Sequence, residues 1–388
     1  MKESEDLERL AAAEIRLSYF LAEQIKNATT YFGYPEVPEN NDLSILGISS
    51  LAKLHLNNAG DPWVHGNAKM HTKAFEREAL DFVAQLYGIE DNYWGYITSG
   101  GTEGNLYGMY TGRDYHLNQG RQPVFLFTDS SHYSLAKNAH LLGIKALPIN
   151  ARPSGEMDYD DLNAQLKKLE KKEGIILNLN LGTTMTGAMD SLEDIIAVIK
   201  TLKISPERVF IHADAALMGF IYPFLDRAEP LFKKGVNSIA ISGHKFPGAI
   251  HPCGIVLSQK DIHDKAFGRN WVPYVGTKDT TISGSRNGFL ALNLWYIFQK
   301  KGLQGFKLEG MQCIENAKYL TQKLNDMDYP NVFHFPNQII VTFKKPIPAL
   351  VRKYQLATQE DMAHIVVMQH ITKSRIDSFC AELLESVN

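Results

Sequence analysis

The pattern of apolar and polar positions changes character twice along the chain. The first thirty residues mix charged and apolar side chains at helical spacing and predict an amphipathic helix. Gly33, Tyr34 and Pro35, followed by Pro38 and the Asn40-Asn41 pair, break it. Between about residues 73 and 260, short apolar runs alternate with helix-length stretches. Helices are predicted over 74–86 and from the Gly-Thr-Glu-Gly at 101–104, and strands at 93–98, 124–127, 174–180, 209–212, 238–242 and 254–257. Such alternation implies βαβ units and a mostly parallel sheet, whose functional loops lie beyond the strands' carboxyl ends. Past about residue 290 the pattern turns to helices over 289–301 and 306–324, strands near 339–342 and 363–368, and a last helix, a smaller α+β unit.

Composition narrows the class. A chain of 388 residues, 44% hydrophobic and 21% charged, has enough apolar surface for one large domain and one smaller one. We expect an N-terminal helical segment (1–58), a large α/β domain (59–290) and a small C-terminal α+β domain (291–388). The net charge of -3, with KKLEKKE at 167–173 alternating in sign, argues against nucleic acid as a partner. Cys253, Cys313 and Cys380 form no CxxC pair, which disfavours a disulfide framework and a metal site and fits a reducing cytoplasm. The N-terminus does not resemble a signal peptide, and no apolar run approaches the ~20 residues that cross a bilayer, so no membrane partner is expected.

Four clusters fall at or just after predicted strand ends. SGGTEGN at 99–105 places two glycines, then Thr102 and Glu103, at the opening of a helix, where free backbone N–H groups favour a phosphate; an ordinary turn is the alternative, and a Walker loop is excluded because no Gly-Lys-Ser/Thr follows. In IHADAAL at 211–217, Asp214 is a carboxylate among Ala213, Ala215 and Ala216. It is either a helix cap or a buried charge with room for a flat body beside it. Lys245, 31 positions further on, follows Ser242, Gly243 and His244. The alternatives are a surface lysine in a turn, or a partly desolvated amine with a lowered pKa that acts as a nucleophile. His132, in DSSHYSLAK at 129–137, follows the strand at 124–127. Together, a phosphate seat, a buried carboxylate, a platform for a flat ring and a reactive lysine are what pyridoxal 5'-phosphate requires.

The set SGGTEGN, SSHYSLAK, NLGTTMTGAMD, HADAAL, SGHK and GSRNG resembles the group II pyridoxal-phosphate-dependent amino-acid decarboxylases, of the aspartate-aminotransferase-like fold (fold type I), from about Gly33 to the C-terminus. WGYITSGGTEGN and GSRNG are similar to bacterial histidine and plant serine decarboxylases, while NNAGDP at 57–62 and residues 351–368 lean toward the serine branch. The resemblance implies that Lys245 bonds the cofactor, Asp214 pairs with the pyridine nitrogen, His132 stacks on the ring and Ala216 packs on its other face. It implies that Gly101, Thr102, Ser242 and His244 hold the phosphate and that Thr183 lies near the ring. It implies a homodimer with sites at the subunit interface, reached from the partner by Tyr274 and Ser285. The implied reaction is decarboxylation of an L-amino acid, histidine to histamine first and serine to ethanolamine second, ahead of other fold-type I chemistry such as cysteine desulfuration, which needs a reactive cysteine on a mobile loop. Residues 268–285, with three glycines and one proline, resemble the family's mobile loop. Tyr274, its one tyrosine, is either the acid that protonates Cα or a packing partner of Trp271. Two departures stand out: Phe246-Pro247-Gly248 follows the lysine, where it bears on the pocket wall, and Gln369 stands where the family has proline.

Overall fold

The computed structural model describes residues 2–38, 48–51, 53–268 and 271–386; Asn40-Asn41, and Arg269 and Asn270 of the expected loop, lie outside the described residues. The chain begins with α1 (Lys2–Ala28), the short α2 (Ile48–Leu51) and α3 (Lys73–Tyr87). There follow β1 (Tyr93–Thr98), α4 (Gly101–Leu117), β2 (Gln122–Thr128), α5 (Ser134–Leu142), β3 (Lys145–Ile149), α6 (Tyr159–Lys167), β4 (Glu173–Asn180) and α7 (Leu192–Thr201). The sheet is completed by β5 (Val209–Asp214), β6 (Val236–Ser242) and β7 (Gly254–Gln259), then α8 (Lys260–Ala266) and the hairpin β8 (Trp271–Val272) and β9 (Thr277–Lys278). The last part holds α9 (Gly288–Asp326), β10 (Phe333–His334), β11 (Ile340–Lys344), α10 (Pro348–Lys353), β12 (Ala357–Gln359), β13 (Met362–Val366) and α11 (Lys373–Glu385).

Seven strands form the main sheet in the order β1-β7-β6-β5-β4-β2-β3. Pairs from β3 through β6 are parallel, and β7 alone runs against its neighbours β1 and β6. Successive residues of the apolar strands enter opposite cores: Ile175, Leu177 and Ile211 lie in one, Ile176 and Phe210 in the other. A sheet covered on both faces needs continuous rather than alternating apolar strands, which is why these runs are legible in sequence. Cross-strand register aligns Asn180 with Asp214 and Asp214 with Ala240, and on the other flank Ser242 with Gly254 and Gly254 with Thr98. One edge of the sheet therefore carries every strand end that the sequence marks as polar.

β3 escapes the sequence reading: Lys-Ala-Leu-Pro-Ile contains a proline and pairs only with β2 at the sheet's margin. The expected break between the helices at 289–301 and 306–324 is Gly302, with φ 58° and ψ 179° inside α9. The smaller antiparallel sheet, β10-β11-β13-β12, packs Phe343 and Ile365 with Phe379 of α11. Phe32, just after α1, is buried in this same core. Its backbone N–H donates to the Tyr354 carbonyl at 3.3 Å and its carbonyl accepts from Val366 at 3.0 Å, which brings the N-terminal segment against β13. Among the described residues no helix is long and apolar enough to cross a membrane.

Candidate active site

Beyond the polar edge of the sheet lies a cavity of about 420 Å³, lined among others by Gly101, Thr102, His132, Thr183, Asp214, Ala216, Ser242, His244 and Lys245. All nine residues expected to touch the cofactor thus meet in one place. Tyr274 and Ser285 do not line it in their own chain. Tyr274 sits at the tip of the β8–β9 hairpin with 85% of its surface exposed, and Ser285 is exposed and accepts a hydrogen bond from Asn57 Nδ2 at 3.2 Å. The tip is tied down by Asn67 Nδ2, which donates to the carbonyls of Pro273 at 3.3 Å and Tyr274 at 3.2 Å.

Asp214 ends β5 with 7% exposure and is fixed from two sides. Its Oδ1 accepts from the Ala216 backbone N–H at 3.1 Å, and its Oδ2 from Asn105 Nδ2 at 2.8 Å. Because that amide donates to Asp214, Asn105 Oδ1 faces His212 and accepts from His212 Nε2 at 3.0 Å. His212 Nδ1 is then the acceptor for the Ser238 hydroxyl at 2.7 Å. Burial pushes the His212 pKa down to about 4, so the ring is neutral, as this arrangement requires. The sequence pattern contains the geometry: His212 and Asp214 are two apart on one strand and share a face, while Gly101, Asn105 and Gly108 recur along one face of α4. A Cβ at Gly108 would stand 2.2 Å from His212 Nδ1, so only glycine lets α4 approach this closely.

Lys245 follows β6 and faces the same cavity. Burial lowers its proton affinity, and the charges of Asp214 and Glu36 partly restore it. The surface-lysine alternative fails. His132 lines the same cavity: its Nδ1 accepts from the Ser134 N–H at 3.3 Å and pairs with the Ser134 hydroxyl at 2.7 Å, so its proton resides on Nε2. Burial lowers its pKa as well. A neutral imidazole suits a ring-stacking role better than a cation.

A phosphorylated cofactor needs an anion seat, and the structure offers one. Ser242 Oγ is buried without a hydrogen-bond partner among the described residues, although Ser242 lines the cavity. A Cβ at Gly101 would stand 2.6 Å from this hydroxyl, so the glycine keeps the niche open. Gly100 precedes α4 with no side-chain cap, which leaves first-turn N–H groups for an anion. The residues present fit pyridoxal phosphate.

The family model for the pyridoxal-dependent decarboxylase conserved domain matches residues 48–345. The chain belongs to this family of decarboxylases. A histidine decarboxylase of Solanum lycopersicum is 40% identical over 345 residues, covering 88% of this chain and 81% of the relative. Serine decarboxylase 3 of Oryza sativa subsp. japonica is 38% identical over 352 residues, covering 90% and 77%. Among solved structures, the L-methionine decarboxylase of Streptomyces sp.590 superimposes with a TM-score of 0.85 at 26% identity, covering 97% of this chain and 95% of that one. The decarboxylase thus has the aspartate-aminotransferase-like α/β fold and uses pyridoxal 5'-phosphate.

Several residues that line the cavity of the decarboxylase escaped the sequence reading. Asn180, Glu36, Tyr34 and His364 also line the cavity. Asn105 and His212 carried a signal in their spacing from Gly101 and Asp214, whereas Glu36 and His364 carried none, because only the tertiary fold brings them there. Gln369 has a role of its own: its Nε2 donates to the Phe246 carbonyl at 2.8 Å and to Glu309 Oε2 at 3.1 Å, tethering the residue after Lys245. Phe246 is fully buried in the core rather than on the cavity wall. All three cysteines are free and buried, none lines the cavity, and burial pushes the Cys253 and Cys313 thiols up to about 12 and that of Cys380 to about 11. Such thiols do not supply the thiolate of a desulfurase.

Proposed function

We propose that this decarboxylase converts L-histidine to histamine and carbon dioxide. The observation that carries the reading of the site is the convergence, in one cavity, of Lys245, the doubly held Asp214 and a Ser242 hydroxyl without a hydrogen-bond partner among the described residues. Histidine as substrate is supported by the resemblance to the tomato histidine decarboxylase over most of both chains. L-Serine to ethanolamine is the second reading, favoured by the rice relative.

In this reading Lys245 holds the cofactor through Nζ, and its lowered proton affinity supplies the neutral amine that such attachment needs. Asp214 keeps a proton on the pyridine nitrogen, His132 covers one face of the ring and Ala216 the other. The α4 N-terminus at Gly101 and Thr102, with Ser242 and His244, binds the phosphate, and Thr183 borders the ring. Bound there, pyridoxal phosphate supplies an electron sink for the negative charge left on Cα as carbon dioxide departs. Tyr274 of a second subunit then delivers a proton to Cα, which requires a homodimer whose sites lie at the interface. Two features support that assembly: the exposure of Tyr274, and the uncovered apolar side chains Leu17, Tyr19, Phe20 and Leu21 of α1, each 57–76% exposed. Three free thiols accord with a cytoplasmic enzyme.

The test is carbon dioxide release from each of the twenty amino acids by the cofactor-loaded protein. Histidine should give the highest kcat/KM. Serine ahead of histidine would reverse the substrate order, and no release from any amino acid would contradict the reading altogether.

A further inference from the structure

The segment that follows α1 is built into the site rather than draped over it. Besides the backbone bonds at Phe32, His370 Nε2 contacts the Tyr31 carbonyl at 2.6 Å. His364, itself 2% exposed, contacts the Gly33 carbonyl through Nε2 at 3.0 Å and the Met185 carbonyl through Nδ1 at 3.1 Å. A Cβ at Gly33 would stand 2.3 Å from the Gln355 carbonyl oxygen and 2.4 Å from the Ala357 nitrogen, so glycine alone permits this docking. The result is to set Tyr34, Pro35 and Glu36 into the cavity wall.

Glu36 is the carboxylate there whose chemistry is unassigned. Three carboxylates line the cavity among the described residues: Asp214, Glu103 and Glu36. Both oxygens of Asp214 are bonded. Those of Glu103 are taken by Tyr96 at 2.9 Å and by the backbone and hydroxyl of Ser99 at 2.8 and 2.5 Å. Glu36 Oε2 accepts from Tyr31 Oη at 2.9 Å, and its Oε1 has no hydrogen-bond partner among the described residues. The Tyr31 bond orients the carboxylate and leaves one oxygen over. Glu36 lines the same cavity as Lys245, and its charge raises the proton affinity of both Lys245 and His244, so its remaining oxygen faces the space that a ligand held at Lys245 enters.

We infer that Glu36 selects the substrate's side chain, accepting a hydrogen bond on Oε1 from an imidazole N–H. The inference rests on the histidine reading above. An imidazole satisfies the free oxygen, and a charge-assisted bond to a carboxylate is stronger than a neutral one. A serine hydroxyl ends one to two bonds closer to Cα than an imidazole N–H, and an acidic side chain would meet a like charge.

The experiment compares the cofactor-loaded wild type with Glu36→Gln and Glu36→Ala. It measures kcat and KM for histidine and serine, and the affinity for L-histidine methyl ester from the change in cofactor absorbance. We expect Glu36→Gln to raise the histidine KM and weaken the ester by about tenfold or more, with kcat held within about threefold and serine kcat/KM unchanged or higher. Glu36→Ala should weaken both further. Either variant gives the decisive numbers if the other fails to fold, since the wild-type cofactor spectrum reports an intact site. Wild-type KM and ester affinity in a folded variant, alongside a wild type that consumes histidine, would overturn this inference alone. A wild type that consumes serine but not histidine would overturn the substrate reading and the inference with it.

Discussion

The Asn105 amide donates to Asp214 Oδ2 across 2.8 Å, and it does so because His212 holds the other end of the same amide at 3.0 Å. A flipped Asn105 would lose both bonds, and a protonated His212 would lose the Ser238 hydroxyl as donor. The Asp214 carboxylate is therefore oriented by three buried neutral groups. Such chains are costly when partly satisfied and specific when complete.

Asp214→Asn should fold and lose most of its turnover, because the group that keeps the pyridine nitrogen protonated is gone. Asn105→Ala should lower kcat by roughly 10- to 100-fold, the scale of one hydrogen bond to a buried charge, with a smaller effect on KM. It should also shift the pH at which the cofactor's absorbance changes, which a merely structural role would not move. Full activity with an unshifted titration in Asn105→Ala would contradict the orienting role of Asn105, and near-normal turnover in Asp214→Asn would contradict the role assigned to Asp214.

The anion seat is tested by cofactor affinity. Gly101→Ala places a methyl group 2.6 Å from Ser242 Oγ and should weaken pyridoxal phosphate binding by about tenfold or more, while Ser242→Ala should cost less than Gly101→Ala. Unbound pyridoxal, which lacks the phosphate, should bind both variants and the wild type alike. An equal loss for both ligands would place the phosphate elsewhere.

How much of this was legible in the sequence depends on where the groups come from. Asp214 and Ser242 end, and Lys245 follows, strands whose apolar runs stop abruptly, so their position at a sheet edge could be read from the chain. His132 was legible for the same reason. β3 was not, since Pro148 and the exposed residues at a sheet margin erase the pattern. Glu36 was not, since its place depends on a bond between Gly33 and His364, 331 positions apart. Tyr274 was legible as the one tyrosine of a glycine-containing loop, but nothing local says that the loop is a hairpin or which cavity it faces.

That question has a genetic answer. If Tyr274 acts in the partner's site, Lys245→Ala and Tyr274→Phe chains mixed under exchange should form hybrids with one intact site. Activity should recover to roughly a quarter of wild type, because half of the random dimers carry one good site of two. Tyr274→Phe alone should release carbon dioxide slowly and form more aldehyde beside the amine. Clean amine at the wild-type rate would remove Tyr274 as the acid and leave His132 as the candidate.

Stability should fall on the acid side for a reason remote from the cavity. Burial depresses the pKa values of His116 and His263 from 6.5 to about 4. The unfolded chain takes up protons that the folded chain refuses between these values, so the stability present above about pH 6.5 is lost as pH falls toward 4, by roughly 1–2 kcal/mol per histidine at pH 5. His116→Gln should flatten the fall in melting temperature between pH 7 and 5 while leaving activity at neutral pH intact. An unchanged slope would contradict the assignment.

The central claim is that Lys245 bonds the cofactor. The chain has a second buried, weakly basic lysine: Lys73, 1% exposed, with its pKa lowered by burial to about 8. Lys73 Nζ donates to the Val64 carbonyl at 2.7 Å and does not line the cavity, so desolvation alone does not make it a cofactor lysine. Borohydride reduction of the cofactor-loaded protein, followed by peptide mapping, separates the two. The account predicts a pyridoxyl label on Lys245 alone, lost in Lys245→Ala; label on Lys73 or any other lysine, or retention of label in Lys245→Ala, would contradict it.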